Sequence, residues 1–135
     1  MKRMLLPCAL LLWTLFLAPV ALAQTVQTPC ANTSSCVFRN KPGALLDAYA
    51  TAEATAGYLY VFNATSAPAN GAVTAGIASG NYEQCLYVPA NTSLGIAVTG
   101  TPPLQFSAGI TAVFSSTACG TLTAANAYFI SGRTP

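Results

Sequence analysis

Residues 57–63, which read GYLYVFN, are the strongest strand signal in the chain. The segment opens with a glycine and continues with the aromatic and branched residues that are enriched in strands. Side chains alternate between the two faces of a strand, with Tyr58, Tyr60 and Phe62 on one face and Leu59 and Val61 on the other. Because both faces are apolar, the pattern predicts either burial on both sides or one buried face and one aromatic surface.

Further short strands are expected on both sides of this segment, bounded by glycine, proline and asparagine. They are residues 85–88 (CLYV), 93–98 (SLGIAV), 104–106 (LQF), 110–115 (ITAVFS) and 127–131 (AYFIS). Residues 44–54 (ALLDAYATAEA) are ambiguous, because their alanines favour a helix while their alternation, with Tyr49 and Thr51 opposite the small residues, fits a strand. We interpret them as a strand, because everything that follows is β.

Six to seven short antiparallel strands, roughly 8–15 residues apart and without a convincing helix, predict an all-β fold. We expect a single small β-sandwich, jelly-roll-like, over residues 44–135. Residues 24–43 are polar and contain Cys30 and Cys36, and we interpret them as an irregular N-terminal arm.

Residues 1–23 have the three zones of a secretory signal peptide. Lys2 and Arg3 give a basic start, residues 5–20 form an apolar stretch, and Ala21-Leu22-Ala23 provides small residues for cleavage before Gln24. An uncleaved membrane anchor is the alternative, but two prolines interrupt the apolar stretch and no basic cluster follows it. We therefore expect a secreted or periplasmic protein with no membrane span after cleavage.

Four cysteines remain after the signal peptide is removed: Cys30, Cys36, Cys85 and Cys119. An even number in a small exported domain predicts two disulfides. Three pairings are open. The pairing Cys30–Cys36 with Cys85–Cys119 is favoured, because the first pair lies in one polar loop and the second joins two predicted strands. A zinc site of four thiolates is the alternative, but the spacings lack the short gaps that such sites use.

Charged residues are scarce, at 6% of 135 residues, and histidine is absent. The composition excludes the Ser-His-Asp and Cys-His nucleophile arrangements and zinc sites built on imidazole. After signal removal the charged residues are three basic and three acidic ones: Arg39, Lys41, Arg133, Asp47, Glu53 and Glu83. We expect no nucleic-acid partner, because each phosphate contact needs its own basic residue. A formally neutral protein also has little self-repulsion to prevent association.

The three acids offer little for catalysis. A glycoside hydrolase needs two carboxyl groups about 5–10 Å apart, and nothing local brings Glu53 and Glu83 together. Lys41, a candidate for a Ser–Lys dyad, lies beside Pro42 in an expected exposed loop. Exposed solubilising residues are the simpler interpretation, so we expect no enzyme activity, no cofactor and no metal site.

Tyrosines are the better indication of binding, with Tyr58, Tyr60, Tyr82 and Tyr87 as the candidate surface. Exposed tyrosines on a flat sheet stack on sugar rings or build a protein interface. The alternative, which we favour, is that Tyr58, Tyr60, Tyr87 and Tyr128 fill or border the core. Tyr82, in the Gly-Asn-Tyr-Glu segment, is expected to be the most exposed of them.

Four segments between residues 54 and 132 carry a family resemblance: AGYLYVFNATSAPANGAV (56–73), VPANTSLGI (88–96), PPLQFSAGITAVFSST (102–117) and AYFISG (127–132). They resemble a family of small proteins of bacteriophages and prophages in proteobacteria. The resemblance implies a virion-associated or tail-associated β-sandwich with a structural or attachment role. The signal peptide departs from that pattern, because most virion proteins assembled in the cytoplasm carry none.

Two functions are therefore compatible with the sequence. The first is a secreted, non-enzymatic structural or assembly domain that associates with itself or with a protein surface. The alternative is a secreted module that binds a glycan or another cell-surface polymer. The sequence leaves the partner, the oligomeric state and the choice between a viral and a cellular role open.

Overall fold

The computed structural model describes residues 25–98 and 103–135, and the signal-peptide prediction lies outside these ranges. The described residues form strands, turns and irregular segments, with no helix among them. The strands are β1 (Val26–Thr33), β2 (Ser35–Arg39), β3 (Gly43–Leu45), β4 (Asp47–Thr51), β5 (Gly57–Phe62), β6 (Gly71–Ala72), β7 (Tyr82–Val88), β8 (Ser93–Ala97), β9 (Leu104–Phe106), β10 (Ile110–Ser115), β11 (Thr121–Leu122) and β12 (Ala127–Thr134).

Eight of these strands build two four-stranded antiparallel sheets that pack against each other. The front sheet has the order β1-β12-β4-β8, and the back sheet has the order β2-β10-β5-β7. The remaining four strands form two short antiparallel pairs, β3 with β9 and β6 with β11. The all-β class, the antiparallel sheets and the strand interpretation of residues 44–54 are thereby confirmed.

The pairing is nested along the chain, so that first strands pair with last strands. β1 pairs with β12, β2 with β10, β3 with β9, β4 with β8 and β5 with β7. This is one long hairpin rolled up on itself, and it is the eight-stranded jelly roll, an architecture found in viral capsid and lectin domains. The two sheets contain eight strands where the sequence predicted six to seven.

The extra strands come from residues 24–43, where the expectation of an irregular arm is wrong. β1 runs along β12 from Val26 opposite Thr134 to Thr33 opposite Ala127, and β2 pairs with β10. β1 is an edge strand whose residues are mostly exposed, so it lacks the apolar alternation by which strands are recognised. Backbone hydrogen bonds to β12, rather than side-chain burial, make it a strand.

The main core lies between the two sheets and is made of inward-facing residues from both. Its buried members include Phe38, Leu45, Ala48, Ala50, Leu59, Val61, Val88, Phe106, Ile110, Ala112, Phe114 and Ile130. The front sheet contributes mostly alanine and glycine at β4 and β12. The back sheet fills the space with larger side chains, as shown by the Phe38 ring, which lies against the backbone of Gly132 where a Cβ atom would overlap it.

A second, smaller core lies on the opposite side of the back sheet. It consists of Tyr60, Phe62, Val113 and Leu122. Two segments cover this smaller core, residues 63–81 and 116–126, and they include the β6–β11 pair. We call these two segments the flap. The buried Asn63 holds the flap in place, because its side-chain amide donates to the Ile77 carbonyl (2.7 Å) and the Ser107 hydroxyl (2.9 Å) and its oxygen accepts from the Ala108 amide (2.8 Å).

Candidate functional site

Both disulfides are formed as predicted. Cys30 is bonded to Cys36 and Cys85 to Cys119, with Cα–Cα distances of 5.8 and 6.0 Å. The first bridge joins β1 of the front sheet to β2 of the back sheet, and the second joins β7 to the flap. Two disulfides in a small domain indicate an oxidising, non-cytoplasmic compartment.

The predicted tyrosine surface is not a single exposed surface. Tyr60 is fully buried, Tyr58 and Tyr82 are half-buried, and Tyr87 is 52% exposed. The expectation for Tyr82 is wrong, because its ring packs edge-on against Tyr60 and Phe62, at centroid distances of 5.1 and 6.1 Å. The flap covers the part of this face around Tyr60 and Phe62, whereas Tyr87, which contacts Tyr58 on the same face at a centroid distance of 5.3 Å, stays exposed.

Tyr60 is the centre of the covered face. Its hydroxyl lies 2.8 Å from the Ala118 carbonyl and 3.0 Å from that of Thr121, both in the flap. Burial, and to a lesser degree the neighbouring Tyr82, raise the pKa of Tyr60. A buried tyrosine that donates to flap carbonyls is a structural side chain and is not available to a ligand.

The outer face of the front sheet, in contrast, has no covering element among the described residues. Strand register places side chains of four strands on it in three rows. The rows are Gln27, Arg133, Asp47 and Ala97; Pro29, Ser131, Tyr49 and Gly95; and Ala31, Phe129, Thr51 and Ser93. We call these twelve residues the front face. All except the buried Ser131 are exposed or half-buried.

Polar side chains on the front face are ordered by one another. The Gln27 amide donates to the Tyr49 hydroxyl (3.0 Å) and to the Ser131 hydroxyl (3.3 Å). Arg133 forms an ion pair with Asp47, and this contact raises the pKa of the Arg133 guanidinium. The face therefore presents two aromatic rings, Tyr49 and Phe129, among preordered hydrogen-bonding groups.

A groove beside Tyr49 makes part of the front face concave. It has a volume of about 290 Å³ and runs along β8 past Asp47, Ser93 and Ala97. The groove exists because Gly95 is directly opposite Tyr49, where a Cβ atom would lie 2.6 Å from the Tyr49 Cβ. The sequence pattern did not indicate this site, although the alternation of residues 44–54 predicted that Tyr49 and Thr51 lie on one face.

Glu83 lies in a different place, at an irregularity of the back sheet. Val61 pairs with Gln84 while Phe62 pairs with Tyr82, so Glu83 is the extra residue of a β-bulge. It borders a cavity of about 580 Å³ whose other walls are mainly apolar and include Ile77, Val98, Pro103, Leu104 and Phe106. Both carboxylate oxygens are shielded from solvent and have no hydrogen-bond partner among the described residues. Burial raises the pKa of Glu83 above its ordinary value of 4.5.

The other acids are not brought to Glu83. Glu53 borders a separate cavity near Phe114 and Asn126, and Asp47 is paired with Arg133 on the front face.

Among the described residues no group of three or more His, Cys, Asp or Glu side chains is placed to hold a metal ion. No helix in residues 25–98 and 103–135 is long and apolar enough to cross a membrane.

We expect Glu83→Gln to raise the free energy of unfolding at pH 7 by about 1 kcal/mol, because it removes an unpaired buried charge. A carboxyl whose folded-state pKa is raised stabilises the fold when protonated, and this stability is lost as pH rises through the folded-state pKa. The gain of Glu83→Gln over the native protein should therefore vanish below the unfolded-state pKa, near 4.5. Urea titrations from pH 4 to pH 8 measure it. The exposed Glu53→Gln is the control, and an equal gain in both variants would contradict the burial of Glu83.

No protein-family model, curated protein or solved structure matches this chain.

Proposed function

We propose that this protein is a secreted or periplasmic, non-enzymatic module that binds a glycan or another cell-surface polymer on its front face. The observation that carries the proposal is the arrangement around Tyr49. An aromatic ring borders a groove and is surrounded by oriented amide, hydroxyl, carboxylate and guanidinium groups. The phage-like resemblance agrees with an attachment role, as does the jelly-roll architecture, although the latter is an analogy of fold alone.

The side chains of the front face are complementary to a sugar chain. The apolar face of a pyranose ring packs on an aromatic side chain, and its hydroxyls exchange hydrogen bonds with neighbouring polar groups. Tyr49 and Phe129 supply the rings, and Gln27, Asp47 and Ser93 supply donors and acceptors within the same rows. A groove of about 290 Å³ open along β8 accommodates a sugar unit of a polymer that continues beyond it.

Tyr49→Ala is expected to weaken polysaccharide binding at least tenfold, or about 1.4 kcal/mol, because it removes the stacking ring. Binding is measured by retardation in native gels that contain soluble polysaccharides and by sedimentation with insoluble peptidoglycan. Tyr87→Ala is the matched control, since it removes an exposed tyrosine from the back sheet. Equal binding by Tyr49→Ala and the native protein would rule out the front face.

A structural or assembly role of the kind found in virions is the second candidate. The formally neutral chain after signal cleavage supports it, as does the open edge of the front sheet at β8. The aromatic face of residues 57–63 is not free for such a contact, because Tyr60 and Phe62 pack beneath the flap within the protomer. Light scattering of the oxidised protein over a range of concentrations, with and without reductant, tests this candidate, because it requires association. A particle that stays monomeric throughout would leave only the binding module.

A further inference from the structure

We propose that β8 is a dimerisation strand, which pairs antiparallel with β8 of a second copy and joins the two front sheets into one. The inference gives the assembly candidate a specific contact, and it is tested separately from polysaccharide binding. Two observations support it, the direction of the free backbone groups of β8 and the composition of the strand. The pairing that results is self-complementary.

The backbone groups of β8 that point away from the sheet belong to alternate residues. The Val98 amide donates to the Leu46 carbonyl, and the Ala52 amide donates to that of Thr92. In the register of β4 with β8, these contacts mark Thr92, Leu94, Ile96 and Val98 as the residues bonded to β4. The N–H and C=O groups of Ser93, Gly95 and Ala97 therefore point outward, and β8 has no strand partner on that side among the described residues.

β8 also lacks the features that protect edge strands. Natural edges are blocked by lysine, proline, bulges or a covering element. β8 reads SLGIA, and no charged residue occurs between Glu83 and Arg133 in the sequence. Four of its five residues are exposed, and Leu94 is 40% exposed although it points to the core side of the sheet. The edge is thus open, uncharged and partly apolar.

A two-fold axis at Gly95 satisfies this edge completely. With Gly95 opposite Gly95 of the second copy, Ser93 lies opposite Ala97, and all three outward residues form hydrogen-bonded pairs. Each such pair exchanges two N–H···O bonds. On the core side, Leu94 lies opposite Ile96 of the second copy. Each of the two exposed leucines therefore gains an apolar cross-strand neighbour. No pair brings like charges together.

The resulting sheet has eight strands in the order β1-β12-β4-β8-β8-β4-β12-β1. Both Tyr49 grooves lie on the same side of it, three strand spacings apart, which is about 14 Å. A five-residue contact is smaller than a standard stable interface, so the dimer is expected to form and dissociate with concentration. Two grooves on one face increase the avidity for a repetitive polymer without any new contact.

The test uses charge at the two positions that face each other across the axis. The variant Ser93→Lys with Ala97→Lys places lysines opposite lysines and should abolish the dimer. The variant Ser93→Glu with Ala97→Lys places opposite charges together and should restore it. As a matched control, Gln27→Lys with Ala31→Lys adds the same charge to exposed positions at the other edge of the front sheet. Sedimentation equilibrium from about 10 µM to about 1 mM gives the mass, and circular dichroism verifies folding.

Amide hydrogen exchange provides an independent measurement on the native protein. The amides of Ser93, Gly95 and Ala97 should be protected at least tenfold more at high than at low concentration, whereas those of Leu94 and Ile96 should not change. A native protein that remains monomeric at about 1 mM would overturn the proposal. So would a dimer that survives the double lysine variant in β8. Loss of the dimer in the double lysine variant supports this interface whatever its effect on polysaccharide binding, because Ser93 and Ala97 also line the groove. Tyr49→Ala, which leaves β8 unchanged, tests the proposed function separately.

Discussion

Tyr60→Ala is expected to lower the free energy of unfolding by about 3–5 kcal/mol, the range for truncating a large buried aromatic side chain. The ring is fully buried beneath the flap and packs against Phe62 and Tyr82. Total stabilities of small domains are about 5–15 kcal/mol, so this change brings the protein close to unfolding. Urea or thermal unfolding followed by circular dichroism measures the loss.

Two controls separate the contributions at this position. Tyr60→Phe keeps the ring and removes the hydroxyl that lies near the Ala118 and Thr121 carbonyls, so it should cost about 1 kcal/mol. Tyr87→Ala, on the adjacent strand and 52% exposed, should cost about 1 kcal/mol or less. If Tyr60→Ala costs no more than Tyr87→Ala, the flap does not cover this face in solution.

Removing the Cys85–Cys119 disulfide by changing both cysteines to alanine is expected to cost about 3–4 kcal/mol. The bridge spans 34 residues, and in the chain-entropy model a longer closed loop restricts the unfolded chain more. Removal also breaks the covalent link between residues 116–126 of the flap and β7. The Cys30–Cys36 bridge spans only 6 residues and should contribute about 2–2.5 kcal/mol.

Urea unfolding of the two double-alanine variants under non-reducing conditions compares these contributions directly. The variant lacking Cys85–Cys119 should also show a larger dependence of the unfolding free energy on urea, because its unfolded state is less compact. A loss at Cys30 and Cys36 equal to or larger than that at Cys85 and Cys119 would contradict the loop-length argument.

Local composition predicted the strands that are rich in apolar, branched and aromatic residues. Leu59 and Val61 face the core between the sheets, as their alternation indicates, and residues 110–115 and 127–131 lie within strands. Strands without such a pattern were missed. β1 is a polar edge strand that is ordered by β12, about a hundred residues further along the chain, and no local signal reports a partner so distant.

The candidate site was not predicted for the same reason, because it depends on residues that are distant in the sequence. Tyr49 and Phe129 are eighty residues apart in sequence and reach the same face only through the pairing of β4 with β12. Tyr60 and Tyr82 are residues typical of a binding surface, but the flap, which consists of two separate connections, buries Tyr60 fully and Tyr82 in part. The bulge that isolates the Glu83 carboxylate arises from a register shift against β5, which depends on both strands at once.

The sequence by itself determined the all-β class and the equal numbers of basic and acidic residues between positions 24 and 135, and it favoured the cysteine pairing that the structure shows, because these depend on residue type, spacing and count. Only the tertiary structure decided which sheet face is covered and which is open. Exposure of a strand face depends on elements that pack on it from elsewhere in the chain. Here these elements are two connections, residues 63–81 and 116–126, that lie far apart in the sequence. The covered face therefore stabilises the protomer, and the open face of small, polar and aromatic residues is the one on which we propose that a polymer binds.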